Sequence, residues 1–312
     1  MKMRRAPAAL AIAAILLLAA TAASLWRARE LERLVPAPVV AGRMQVAASF
    51  YPMYFFAAGI GGEKAQVFDV TPAGTEPHDY ELTPLDVARL EQSRLLVLNG
   101  AVEPWGNKVS RLLNPKRTLV VVAAQGLMTR HGEASSDAVD PHVWLAPRLA
   151  EKIVGRLEKA YVQVDPADAA YFADNSRALE GELRTLDAQY RRGLTRCARK
   201  DIVTSHAAFG YLARDYGLTQ VAIGGLSPDA QPSPRRLADI ADFARKNGVK
   251  TIFFERLVSP KLSQTIAREI GAKTMALDPI EGLTAAELAA GRNYFTQMRQ
   301  NLANLRSALQ CR

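Results

Sequence analysis

Two series of short apolar, β-branched runs, with one long proline-free amphipathic stretch between them, leave this chain few architectures. The first series covers residues 44–50, 66–71, 95–99 and 118–123, and the second covers 201–204, 219–223, 251–254 and 274–277. Runs of that length alternating with amphipathic helices predict parallel sheets in an α/β fold, flanked by helices. Between the two series, Leu179, Leu183, Leu186, Tyr190 and Leu194 recur at three- and four-residue steps, behind Asp165-Pro166 as a natural helix start. The spacing predicts one helix over 166–195, on the order of 40 Å long at about 1.5 Å per residue. Such a helix is too long for a crossover inside one sheet, and it predicts a strut between two lobes. The expected division is an N-terminal lobe over 44–165, the connecting helix over 166–195 and a C-terminal lobe over 196–312.

The segment ahead of the first lobe has a different character. Met1-Lys-Met-Arg-Arg5 is basic, and residues 6–23 are apolar except for Pro7 and Thr21, with small residues following. That order predicts a secretory signal peptide over 1–26, or an N-terminal membrane anchor if it is not cleaved. The run is at the short end for a membrane span, which needs about 20 apolar residues. Residues 27–43, with Pro36 and Pro38, read as a linker. No cysteine lies near the apolar run, which argues against a lipid-modified N-terminal cysteine. The formal charge of +9 is spread among Asp and Glu without a basic stripe or interleaved aromatics, so no nucleic acid partner is expected. The two cysteines, Cys197 and Cys311, either pair in an oxidising compartment or remain free thiols.

The chain has four histidines, and three of them sit where a strand-like run gives way to a loop: His78, His142 and His206. Asp278 occupies a similar place, ending a run just before Pro279. In open parallel sheets the ligand crevice lies beyond the carboxyl ends of the strands, so His206, Glu255 and Asp278 are expected on one edge of the second lobe. His78 and His142 belong to loops of the first, and the cleft between the lobes is where all of them meet. Imidazoles and a carboxylate from separate segments suit a closed tetrahedral metal site. Each residue also has a plainer role open to it. His78 can be a surface or cap residue, or one oriented by Asp79 and Tyr80. His142 can be a turn histidine packed on Trp144, and Asp278 a cap. Glu255 can accept a hydrogen bond from a ligand, pair with Arg256 or Lys261, or ligate weakly itself. His131, in a polar loop, is expected to be solvated. Ser205 beside His206 raises a hydrolase alternative, but adjacent strand residues point in opposite directions and no Gly-x-Ser-x-Gly elbow surrounds it.

The words around these residues resemble the cluster A-I metal-binding subunits of ABC importers. Thr75-Glu-Pro-His-Asp-Tyr-Glu-Leu-Thr-Pro84, Asp140-Pro-His-Val-Trp-Leu-Ala-Pro147, Thr204-Ser-His-Ala-Ala-Phe-Gly-Tyr211 and Leu277-Asp-Pro-Ile-Glu-Gly282 are similar, in order, to the four ligand motifs of that family. The resemblance runs from about Met44 to Arg312. It implies two α/β lobes around one metal, with His78, His142, His206 and Asp278 as ligands. It also implies a high-affinity, non-enzymatic binding protein of the periplasm, acting as a monomer and delivering its ion to the transmembrane permease of an ABC importer. Three imidazoles and one carboxylate favour Zn2+ over Mn2+. A manganese or iron carrier of the same family is the alternative. The chain departs from many zinc-uptake members in lacking a His-rich loop: the corresponding stretch near 127–139 has only His131.

Overall fold

All eight expected strands form. The computed structural model describes residues 40–129, 139–228 and 231–312; the leader, most of the linker and His131 lie outside the described residues. In the first lobe, β1 (Met44–Ala48), α1 (Tyr51–Gly61), β2 (Ala65–Asp69), α2 (Pro84–Gln92), β3 (Leu95–Leu98), α3 (Gly106–Leu112) and β4 (Leu119–Val122) follow one another. The four strands are parallel, in the order β2-β1-β3-β4, with Val46 paired to both Val67 and Leu95. Two long helices come next, α4 (Pro147–Val164) and α5 (Ala169–Leu194). The second lobe contains β5 (Asp201–Thr204), α6 (Gly210–Tyr216), β6 (Thr219–Ala222), α7 (Pro234–Lys246), β7 (Thr251–Phe254), α8 (Lys261–Ile270) and β8 (Lys273–Ala276). Its sheet is again parallel, in the order β6-β5-β7-β8. Helices α9 (Ala285–Ala289) and α10 (Tyr294–Leu309) complete the described fold. The two sheets therefore share one winding, and in each the connections reverse direction beside the first strand of the lobe. A crevice opens at the strand ends there.

Local chemistry explains where the helices begin. Thr83 and Asp86 form a capping box at α2, with Pro84 as the first helical residue, and Thr284 and Glu287 do the same for α9. Asn293 accepts from the Thr296 backbone N–H at the start of α10. The connecting helix differs from expectation at its start. Pro166–Asp168 form a separate 3₁₀ turn, and regular helix begins at Ala169. The reason is the neighbour: α4 ends at Val164, so the chain must reverse tightly before α5 can run back along it.

Helix α5 touches both lobes. A Cβ on Gly59 of α1 would come within 2.9 Å of Leu179, and one on Gly193 within 3.1 Å of Leu302 of α10. Small residues thus let a helix of each lobe lie close against the strut. The Tyr190 hydroxyl donates to the Met298 carbonyl at 2.7 Å, and Asn175 donates to the Ile60 carbonyl at 2.9 Å. The principal core follows the same path, running without a break from Phe56 and Tyr161 through Phe172 and Tyr190 to Tyr211 and Leu309. Smaller clusters sit on the outer face of each sheet. The cysteines are paired: Cys197, just past α5, and Cys311, just past α10, form a disulfide spanning 114 residues. Among the described residues no helix is long and apolar enough to cross a membrane.

Candidate metal centre

Four loops at the carboxyl edges of the sheets converge on one point between the lobes. His78 lies on the loop after β2, His142 just before a 3₁₀ turn (Val143–Leu145), and His206 just past β5. Glu281 follows β8. One ligand atom from each lies within 4.8 Å of all the others. The Glu281 Oε1 atom is 3.2 Å from His78 Nε2, 3.1 Å from His142 Nε2 and 3.6 Å from His206 Nε2. The His142 and His206 Nε2 atoms are 3.2 Å apart. His142 and His206 are fully buried and Glu281 is 1% exposed, whereas the His78 side chain is 10% exposed and forms the mouth.

Carboxylates behind the rings set which nitrogen faces inward. The Asp140 Oδ1 atom lies 2.8 Å from His142 Nδ1 and also accepts the His142 backbone N–H at 3.0 Å. Glu255, at the end of β7, lies 2.6 Å from His206 Nδ1 and takes the Ser205 hydroxyl as well. A proton held on Nδ1 by its acceptor leaves Nε2 as a lone pair aimed at the centre. Side chains from elsewhere in the fold hold the His142 loop by its carbonyls. Asn99 donates to the Pro141 carbonyl at 3.2 Å, and the Tyr211 hydroxyl of α6 donates to the Asp140 carbonyl at 2.9 Å.

Lone pairs and an anionic oxygen crowded into a buried space repel one another unless positive charge is present. The protonation equilibria show this. Burial opposes charge on His142 and His206, yet the surrounding carboxylates outweigh it and raise both above the usual histidine range. Burial would raise Glu281, but the three histidines hold it well below the usual carboxylate range. The second oxygen of Glu281, Oε2, is buried with no hydrogen-bond partner. Three imidazoles and a carboxylate with a spare oxygen are a donor set that fits Zn2+.

The expected fourth ligand, Asp278, is not in this group, and Glu281 stands there instead. Asp278 braces the turn that delivers Glu281. Its Oδ1 accepts the Ile280 backbone N–H at 2.8 Å, and its own backbone exchanges two hydrogen bonds with the Asn301 side chain, at 3.0 and 2.7 Å. Ile280 has φ of 59°, a left-handed conformation that a β-branched residue rarely adopts, and it is fully buried. That turn swings the chain so that the residue after it enters the cluster. Burial, partly offset by the Ile280 N–H and Arg256, raises the Asp278 carboxyl to about 7.

The other sequence candidates fall into place around the centre. Glu255 is the hydrogen-bond acceptor for His206. His142 does pack beside Trp144, with ring centroids 5.2 Å apart, while still presenting Nε2. The Tyr80 hydroxyl goes to Asp86 at 2.7 Å. Ser205 donates to Glu255, so the hydrogen bond to an imidazole base that a nucleophilic serine needs is not the one it makes. Glu281 was within sight in the Leu277–Gly282 motif, three residues beyond Asp278.

Comparison with known proteins points the same way. The family model described as zinc-uptake complex component A, periplasmic, matches residues 46–308. The high-affinity zinc uptake system protein ZnuA of Bacillus subtilis is 39% identical over 280 residues, covering 86% of this chain and 88% of that protein. The zinc-binding protein AdcA of Streptococcus pyogenes is 36% identical over 287 residues, covering 85% of this chain and 56% of its own length. The crystal structure of Zn(II)-bound AdcA from Streptococcus pneumoniae aligns with a TM-score of 0.76 at 38% identity, over 86% of this chain and 58% of that one. The chain thus spans little more than half the length of the AdcA proteins it matches, and most of the length of ZnuA.

Proposed function

The chain belongs to the family of the periplasmic zinc-uptake component A, and from that premise we propose that it captures zinc outside the inner membrane and hands it to the permease of an ABC importer. The observation that carries the proposal is the convergence of three imidazole Nε2 atoms and the Glu281 carboxylate, drawn from both lobes, on one buried point. His78, His142, His206 and Glu281 hold the ion, and Asp278 shapes the turn under Glu281. Zinc is the cargo, and the role is binding. Four protein ligands close a tetrahedral shell, whereas a catalytic zinc keeps a position for water.

The division of labour along the chain follows. Residues 1–26 direct export, 27–43 form a linker, 44–165 and 196–312 are the two lobes, and 166–195 is the strut that holds them at a fixed separation. The protein works as a monomer in the periplasm. With one core running through both lobes, loading involves the loops that carry the ligands rather than a wide hinge. Metal analysis of the purified chain, with calorimetric titration of zinc and manganese, tests the reading. A tight one-to-one zinc complex is expected, and failure of zinc to bind below micromolar concentration overturns it.

A further inference from the structure

A cavity of ≈ 400 Å³ lies against the back of the metal centre and shares Glu281 with it. Tyr51 and Tyr54 supply aromatic walls, Leu283 an aliphatic one, and Asp69, the last residue of β2, a carboxylate. The polar chemistry here is unfinished. The Asp69 Oδ1 and Glu281 Oε2 atoms are both buried and have no hydrogen-bond partner. An orphaned buried carboxylate oxygen is costly and calls for an explanation. The metal reading accounts for Glu281 but not for Asp69, which belongs to neither the ligand set nor the carboxylates that orient it. Burial, only partly offset by the Thr71 backbone N–H, raises Asp69 well above the usual carboxylate range.

We propose that this cavity binds a small organic ammonium ion, with its charge against the Asp69 carboxylate and its carbon substituents against Tyr51 and Tyr54. The volume is that of a small-molecule site, mostly apolar with a few placed polar groups. Aromatic faces together with a carboxylate select a cation that also carries apolar surface. A bare inorganic cation of the hard type needs six or so oxygen ligands, more than these walls offer. The site does not depend on zinc being the ion held next door, because Asp69 lies outside that ligand set.

The test is calorimetric titration of choline into the metal-free full chain, beside its uncharged isostere 3,3-dimethylbutan-1-ol. Choline binding is expected, with the isostere at least about tenfold weaker, since only the cation can pair with the Asp69 carboxylate. Asp69→Asn should weaken choline by about tenfold or more while keeping the parent melting curve and zinc affinity. If Asp69→Asn does not fold, Tyr54→Leu, which removes one aromatic wall and leaves the carboxylate, is measured in its place and should also weaken choline. No choline binding up to about 10 mM, equal binding of the isostere, or variants that bind choline like the parent would each overturn the proposal.

Discussion

The Trp144 indole Nε1 donates to the carbonyl of Pro279 at 2.8 Å, fastening the loop that carries His142 to the loop that carries Glu281. The Tyr294 hydroxyl locks the same tryptophan by donating to its carbonyl at 2.5 Å. Residues from two lobes can converge only if the lobes hold a fixed spacing, and this bond sets that spacing next to the histidine cluster. Trp144→Phe keeps an aromatic side chain, though a smaller one, and removes the donor. It should cost about 1–3 kcal/mol by leaving a buried carbonyl unpaired. At about 2–4 °C per kcal/mol for a chain of this size, the loss is visible in a melting curve. Zinc affinity should fall with it, and a variant that binds zinc like the parent would mean that the loops find their spacing without this bond.

Glu281 and Asp278 can be told apart by substitution. Glu281→Gln removes the anionic donor and should weaken zinc by about 100-fold or more, beyond the 10–100-fold common for changes to groups behind the ligands. Asp278→Asn keeps an acceptor for the Ile280 N–H, so its effect should stay below about tenfold. Competition against a chelator of known affinity reads both. Equal losses would return Asp278 to the ligand set.

Ion preference should follow position 206. His206→Glu exchanges a nitrogen donor for a harder oxygen donor and should shift the preference from zinc towards manganese. Loading from an equimolar mixture, followed by metal analysis, gives the ratio. An unchanged ratio would take His206 out of the coordination shell.

Acidity should act in opposite directions on the metal-free and loaded forms. His142 and His206 titrate above the ordinary histidine value, so their contribution to stability is complete below about 6.5 and is lost as pH rises through the raised values. Asp278, raised to about 7, adds the same sign, because folding costs more once its carboxyl must ionise. The melting temperature of the metal-free protein should therefore fall between about pH 6 and 8. Zinc must displace the protons on the imidazoles, so its affinity should rise over the same interval, with proton release visible in buffers of different ionisation enthalpy. Zinc affinity that stays flat from pH 5.5 to 7.5, roughly spanning the free histidine value, is incompatible with a three-imidazole site.

Much of this arrangement was legible in the chain. Strand positions could be read because the inner strands, covered on both faces, carry short apolar runs at residues 46–48, 95–98, 202–203 and 252–254. His206 could be placed because it comes two residues past the end of β5. The strut was visible from the spacing of Leu183, Leu186, Tyr190 and Leu194, though its first turn was not, since the reversal after Val164 depends on a neighbour. The exchange of Asp278 for Glu281 had a different cause. Asp278 ends the apolar run and has the position of a crevice ligand, but which carboxylate enters the cluster depends on the backbone of Ile280. A left-handed isoleucine has no signature in residue type, because the type argues against that conformation. The roles of Asp140 and Glu255 were obscure for a related reason: a carboxylate behind an imidazole is defined by direction, not by spacing.

The bond between Cys197 and Cys311 makes the second lobe a closed ring. Residues 197–311 hold all of β5 to β8, and with them His206, Glu255 and Glu281. A protease that cuts once at an exposed loop of this ring opens a loop without releasing a fragment. The nicked chain would keep its full mass until reduced, and both new ends would stay near enough to repack. Where proteases are present, that is resistance to loss of parts, and it protects the lobe that brings His206 and Glu281 to the cluster.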